Sequence, residues 1–148
     1  MAEFHFKLAP VLRFRERVKQ EKQWELGLLN ERMHDLEKEI GDLQEELRQD
    51  DARVATEGGI YSAIELQLRG NYARDLLRQM DRKRTAMVAL NKEIAQQREE
   101  LVETMREVKI LEQLRQRLKE KFRLVEDLAD QKAIDEIALR KFTEPGKR

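Results

Sequence analysis

Apolar side chains from Leu26 onward fall at Leu26, Leu29, Met33, Leu36, Ile40, Leu43 and Leu47. The spacings alternate three and four, the pattern of a coiled-coil seam. Upstream, Leu8, Val11, Val18 and less clearly Leu12 continue the stripe, with a phase slip between Val18 and Leu26 around Lys22. A stutter of that kind unwinds a supercoil locally without ending the helix. Pro10 suits a first helical turn, where its missing N–H costs nothing, so the first helix is expected over residues 9–56. Gly58 and Gly59 supply the left-handed conformations that close a helix and reverse the chain, giving a turn over 57–61. Ser62 and Glu65 then read as a capping box that opens a second helix over 62–142. Within it, from Ala73 to Ala129, the three-four spacing never breaks, and thirteen of its 17 seam positions are apolar. Gly70 is a weak point near its start, worth about 1 kcal/mol against alanine. Pro145 and Gly146 end the order, leaving a disordered tail over 143–148.

The two seams can be paired by pivoting on the double glycine. Leu26 then meets Ile94, Leu29 meets Leu90, Met33 meets Met87, Ile40 meets Met80, Leu43 meets Leu76, and Leu47 meets Ala73. Beyond the stutter, Val18 meets Leu101 and Val11 meets Val108. Charge offers an independent check. Residues 26–57 hold ten acids and four bases, while 65–98 hold eight bases and four acids. Folded back on one another these stretches attract, whereas a parallel homodimer would set each acidic stretch against its own copy. The fold class is therefore all-α, a monomeric, long antiparallel two-helix coiled-coil hairpin forming a single domain over 1–148.

The helices are unequal. About 47 residues face about 80, or roughly 70 Å against roughly 120 Å. Helix 1 is used up opposite Leu111, so helix 2 overhangs at the end bearing both termini. From about Leu114 to Lys141 it is expected to run without an intramolecular partner while still carrying Leu114, Leu118, Phe122, Val125, Leu128, Ile134 and Ile137. A lone helix with an apolar stripe calls for a binding surface.

Composition narrows the function by exclusion. Ala, Glu, Lys, Leu and Arg make up 83 of 148 residues, the profile of long helices rather than of a compact enzyme. Thirty basic and thirty acidic residues cancel, so no global field is available for nucleic acid or an anionic membrane. The string Arg82-Lys83-Arg84 lies opposite the acidic face of helix 1 and reads as intramolecular pairing. There is no cysteine. The opening Met-Ala-Glu-Phe-His-Phe-Lys has an acid at position 3 and no apolar core, unlike a signal peptide, and no apolar run approaches bilayer length. A soluble protein without membrane insertion is expected. His5 and His34 stand far apart, and Glu45-Glu46, Asp50-Asp51 and Glu99-Glu100 read as solvated faces. No catalytic, cofactor or metal site is expected, and the chain is read as a non-enzyme. Lys83, Gln97, Thr104 and Arg115 interrupt the seam and read as register-setting polar positions. Trp24, beside the stutter, is either a partner anchor or packing for the loosened seam.

The two ends resemble a known family. Phe4-His5-Phe6-Lys7-Leu8-Ala9-Pro10-Val11-Leu12, followed by Arg15 and Glu16, is similar to the opening of FliJ-type flagellar export proteins. Lys109-Ile110-Leu111-Glu112-Gln113-Leu114, then Asp130-Gln131-Lys132 and Asp135-Glu136-Ile137-Ala138-Leu139-Arg140, resemble that family's closing signature. Gly59-Ile60, Ser62 and Asn71-Tyr72 resemble the turn region of some members. The resemblance implies a non-enzymatic component of the flagellar type III protein export apparatus. Such proteins form an antiparallel coiled coil similar to the central stalk of rotary ATPases. Their partners are the hexameric export ATPase, whose assembly and activity they promote, the cytoplasmic domain of the export gate membrane protein, and export chaperones. The implied location is cytoplasmic, peripherally at the inner membrane. On this basis the ATPase ring is expected to contact Phe4, Phe6, Leu118, Phe122, Arg123, Val125, Leu128, Lys132 and Ile137. The signature positions Leu111, Glu112, Leu114, Asp135, Glu136, Ile137, Ala138 and Arg140 carry no assigned role, and no gate-binding surface can be read from the middle of the chain. The alternatives are the stalk of a virulence-type injection apparatus and a generic coiled-coil scaffold.

Overall fold

Two α-helices account for the secondary structure of the described residues, 2–57 and 61–143, in a computed structural model of the chain. Helix α1 covers Ala9–Glu57 and α2 covers Ala63–Thr143. The double-glycine turn at Gly58-Gly59, the Pro145-Gly146 stop and all but the first residue of the expected tail lie outside the described residues. At the start of α1 the Ala9 amide donates to the Phe6 carbonyl at 3.0 Å and Leu12 to Leu8 at 2.9 Å, which leaves Pro10 where no N–H is needed. The expected capping box opens α2. The Glu65 amide donates to Ser62 Oγ at 3.2 Å, and the Ser62 amide donates to Glu65 Oε2 at 3.1 Å. Gly70 does not end the helix: α2 runs through it, and Arg74 Nε donates to its carbonyl at 3.2 Å.

Contacts divide the chain into two units. One is Gln20–Val102. Its centre is Leu36, Leu90 and Ile94, with Leu26, Leu29, Met33 and Met87 packed around them, the residues that the antiparallel register brings together. Lys83 Nζ meets Glu39 Oε2 at 2.7 Å and Lys22 Nζ meets Glu100 Oε2 at 2.9 Å, and Tyr72 donates its hydroxyl proton to Glu46. Residue numbers rise along α1 as they fall along α2 in these pairs, which is the signature of antiparallel helices. Lys83, the centre of the basic string, is thus paired across the seam with an acid of α1. Near the turn end of α2, the Arg69 guanidinium stacks on the Tyr61 ring at 4.3 Å.

The other unit joins Met1–Lys19 to Glu103–Arg148. Arg15 and Glu107 form an ion pair at 2.9 Å, again antiparallel. Its core is Phe6, Leu12 and Val108, with Phe4, Ala9, Leu111 and Leu114 against them.

This arrangement corrects two expectations. Leu12, only 4% exposed, faces Val108, whereas Val11 is 43% exposed. Between Leu12 and Leu26 the partly covered positions of α1 are Arg15, Glu16, Val18, Lys19 and Lys22. Long cationic side chains hold the seam there by laying their stems along it and reaching an acid on α2, as Arg15 and Lys22 do. Polar residues therefore share the covered face with Val18 where apolar residues alone suggest a slip. The second correction concerns α2 beyond Leu111, where Leu114 is packed into the core rather than left without a partner. The cluster it packs against joins Phe6, which precedes α1, to Leu12 and Val108.

Candidate functional site

Within the terminal unit, Ala9–Lys19 contributes 11 residues of α1 and Glu103–Thr143 contributes 41 of α2. Helix α1 is exhausted early, as expected. The segment preceding it then supplies a second partner for α2. Residues 2–6 have no regular structure, and in an extended stretch side chains two apart point the same way. Phe4 and Phe6 both turn inward. Phe6 is 9% exposed in the unit's core, and the Phe4 ring packs against Phe122 with centroids 5.7 Å apart and planes tilted 49°. This strap, with Leu118 and Phe122, lines a shallow hollow of about 610 Å³ that opens to solvent. A second hollow of the same size lies between the strap, the first turns of α1 and Arg115. Arg115 itself is exposed, and Leu114 takes the covered place that a strict seam would give to it.

The residues expected to contact a partner therefore separate. Phe6 is buried inside the chain, unlike the rest of the set expected at the ring. Phe4 and Phe122 are half-buried against one another, and Leu118 is partly exposed beside them. Arg123, Val125, Leu128, Lys132 and Ile137 are exposed, with Val125 at 65% and Leu128 at 68%. Of the signature positions, Leu111 and Leu114 pack on the core, whereas Glu112, Asp135, Glu136, Ala138 and Arg140 face solvent. Here α2 contains no proline or glycine after Gly70, and its last turn carries Arg140 and Lys141, which favour the helix C-terminus. What results is a helix end with Val125, Leu128 and Ile137 exposed to water beyond Phe122, which Phe4 already engages.

Elsewhere the polar seam positions act within the chain. Thr104 is 5% exposed, and Gln97 has its amide oxygen enclosed without a hydrogen-bond partner among the described residues. Trp24 is 68% exposed and so does not pack the seam. Among the described residues, titration is perturbed at the exposed Glu45, Arg48 and Tyr72. The Arg48 guanidinium, 2.6 Å from Glu45, lowers the Glu45 carboxyl and is itself raised, and acceptance by Glu46 raises the Tyr72 phenol. Each is a pair on a helix surface and none adjoins another perturbed group in a cleft. Among the described residues no cluster of three or more His, Cys, Asp or Glu is placed to hold a metal, and no helix is long and apolar enough to cross a membrane.

Neither a curated protein nor a solved structure matches the chain. A family model does, the one described as "Flagellar FliJ protein", and it spans residues 4–147. The match starts at the strap's first aromatic residue and runs past the end of α2, and the chain belongs to the flagellar FliJ family.

Proposed function

We propose that the exposed end of α2 is the surface by which this chain binds and activates the hexameric flagellar export ATPase, in the manner of a central stalk. Family membership makes the protein a component of the flagellar type III export apparatus. The step from there to a specific partner rests on one observation, the exposure of the apolar side chains Val125 and Leu128. The two share one face of α2 beyond Phe122, the residue on which Phe4 packs, and Ile137 is exposed on another face. Burying such exposed apolar side chains against a partner releases about 25 cal/mol per Å². In this reading Leu118, Phe122, Val125, Leu128 and Ile137 supply contact area, Arg123 and Lys132 flank them, and Phe4 borders the site. Phe6 acts indirectly by holding the strap. The chain itself supplies no reacting groups: it contributes a shaped, rigid surface and the ATPase does the chemistry. The links to the export gate and to export chaperones belong to the same proposal, although no surface here is assigned to either.

The test is a double substitution, Val125→Asp with Leu128→Asp. Both side chains are exposed, so thermal unfolding and helical circular dichroism are expected to match the unaltered protein. Binding to the purified export ATPase should be lost. Retained binding would remove this stripe from the interface.

A further inference from the structure

The terminal part of α2 is divided by charge about a single residue. Residues 115–123 carry five bases and one acid, and residues 126–136 carry five acids and one base. Val125 lies between the two bands. Among the described residues none of these charges takes part in an ion pair, so neither band is neutralised within the chain. A surface whose two halves are opposite in sign about a midpoint is complementary to itself after a two-fold rotation. We infer that this segment is an interaction surface for a second copy of the same chain, the two helices pairing antiparallel about Val125.

The side chains fit that register. At 100° per residue, Leu118, Phe122, Val125, Leu128 and Lys132 share one face of α2. Rotation about Val125 sets Val125 against its own copy, Phe122 against Leu128, and Leu118 against the aliphatic stem of Lys132. Flanking charges then meet opposite signs across the pair. On one side Arg123 approaches Glu126 of the other copy and Lys119 approaches Asp130. On the other side Arg117 approaches Asp135. Parallel pairing would set Lys119 against Lys119 and Asp130 against Asp130. Exposure agrees, since Val125 and Leu128 stand in solvent in the single chain. On this face the strap borders Leu118 and packs Phe4 on Phe122, while Val125 and Leu128 stand exposed. Because the same stripe is proposed for the ATPase, self-pairing and ATPase binding would exclude each other, and the paired form would keep the stripe covered until the ring displaces it. That exclusion rests on the proposed function, whereas the pairing stands without it.

The chain has no cysteine, which makes the geometry directly testable. In full-length protein, Val125→Cys places two sulfurs at the two-fold axis and should oxidise to a covalent dimer. Phe142→Cys lies 17 residues from the axis, about 50 Å from its own copy in the antiparallel pair, and should not. Dimers from both variants would mean parallel pairing, and dimers from neither would mean no pairing; either result overturns the inference. Charge exchange is the second arm, read by sedimentation as a shift from one 17.7 kDa chain to twice that mass. Arg117→Glu with Lys119→Glu and Arg123→Glu should sediment as a monomer, as should Glu126→Lys with Asp130→Lys and Asp135→Lys. Mixed in equal amounts at low salt, the two should form a heterodimer that dissociates as salt rises. A monomeric mixture would contradict the pairing, provided that circular dichroism shows both variants to be helical. Because neither arm involves the ATPase, failure here leaves the proposed function standing.

Discussion

Phe6→Ala is the perturbation that most sharply separates the strap's structural role from the stripe's exposed one. Phe6 is 9% exposed and sits with Leu12 and Val108, while Phe4, Leu111 and Leu114 pack around them. Truncating a buried phenylalanine to alanine costs about 3–5 kcal/mol where the surroundings cannot collapse. Here the residue lies in an irregular segment that can relax toward the gap, and burial measured against an extended chain overstates the loss by roughly 10–40%. About 2–3 kcal/mol is therefore expected. The effect should stay within the terminal unit, because every side chain in the Phe6 cluster belongs to it. Hydrogen exchange resolved along the chain is the suitable assay because it reads local opening. Amides of residues 12–19 and 104–114 should exchange about 30- to 150-fold faster, from about 1.4 kcal/mol per factor of ten, while residues 26–47 keep their rates. Val125→Ala, at a 65% exposed site, should change neither region by more than about 0.5 kcal/mol. Unchanged exchange in Phe6→Ala would refute the strap as a structural element and return Phe6 to the candidate interface.

Three further outcomes depend on particular contacts. Leu29→Cys with Leu90→Cys, in a chain without cysteine, should oxidise to an intramolecular link at low protein concentration, and covalent dimers would contradict the antiparallel pairing. Gln97→Leu removes an enclosed amide oxygen that lacks a partner and should raise stability by about 1 kcal/mol in denaturant unfolding; a loss of stability would mean that the oxygen is satisfied. The Tyr72 phenol, raised by its bond to Glu46, supports folding while protonated. That support is complete below the ordinary phenol pKa and disappears as pH rises through the raised one. An ultraviolet titration should therefore show a component above the usual tyrosine range that Tyr72→Phe abolishes, and its persistence in the variant would assign it elsewhere.

Much of the fold is legible in the sequence because coiled coils write their structure into spacing. The register that pairs Leu29 with Leu90 and Met33 with Met87 reappears as one packed cluster, and Ser62 with Glu65 closes the capping box that the sequence implies. The departures share a cause. Apolar spacing is blind to covered positions held by charged residues, so Arg15, Lys19 and Lys22, which are partly covered between Leu12 and Leu26 beside Val18, do not show in it. It is equally blind to the strap, whose period is two and not three and a half. A signal for the strap is nonetheless present: two phenylalanines two residues apart, ahead of a helix with more α2 to cover than its own length allows. The overhang has the direction that the helix lengths imply but begins later, because Leu114 packs on the cluster of Phe6, Leu12 and Val108 and Phe122 on Phe4 before α2 emerges. The charge division about Val125 needs the structure as well, since only exposure distinguishes an unpaired charged band from one neutralised across a seam.

The most direct measurement is the rate of ATP hydrolysis by the purified flagellar export ATPase as this protein is added. Turnover should rise to a plateau together with hexamer formation, and Val125→Asp with Leu128→Asp should give no increase at any concentration. Equal stimulation by the altered and unaltered chains would contradict the placement of the interface. No stimulation by the unaltered chain, with no binding, would contradict the stalk function itself.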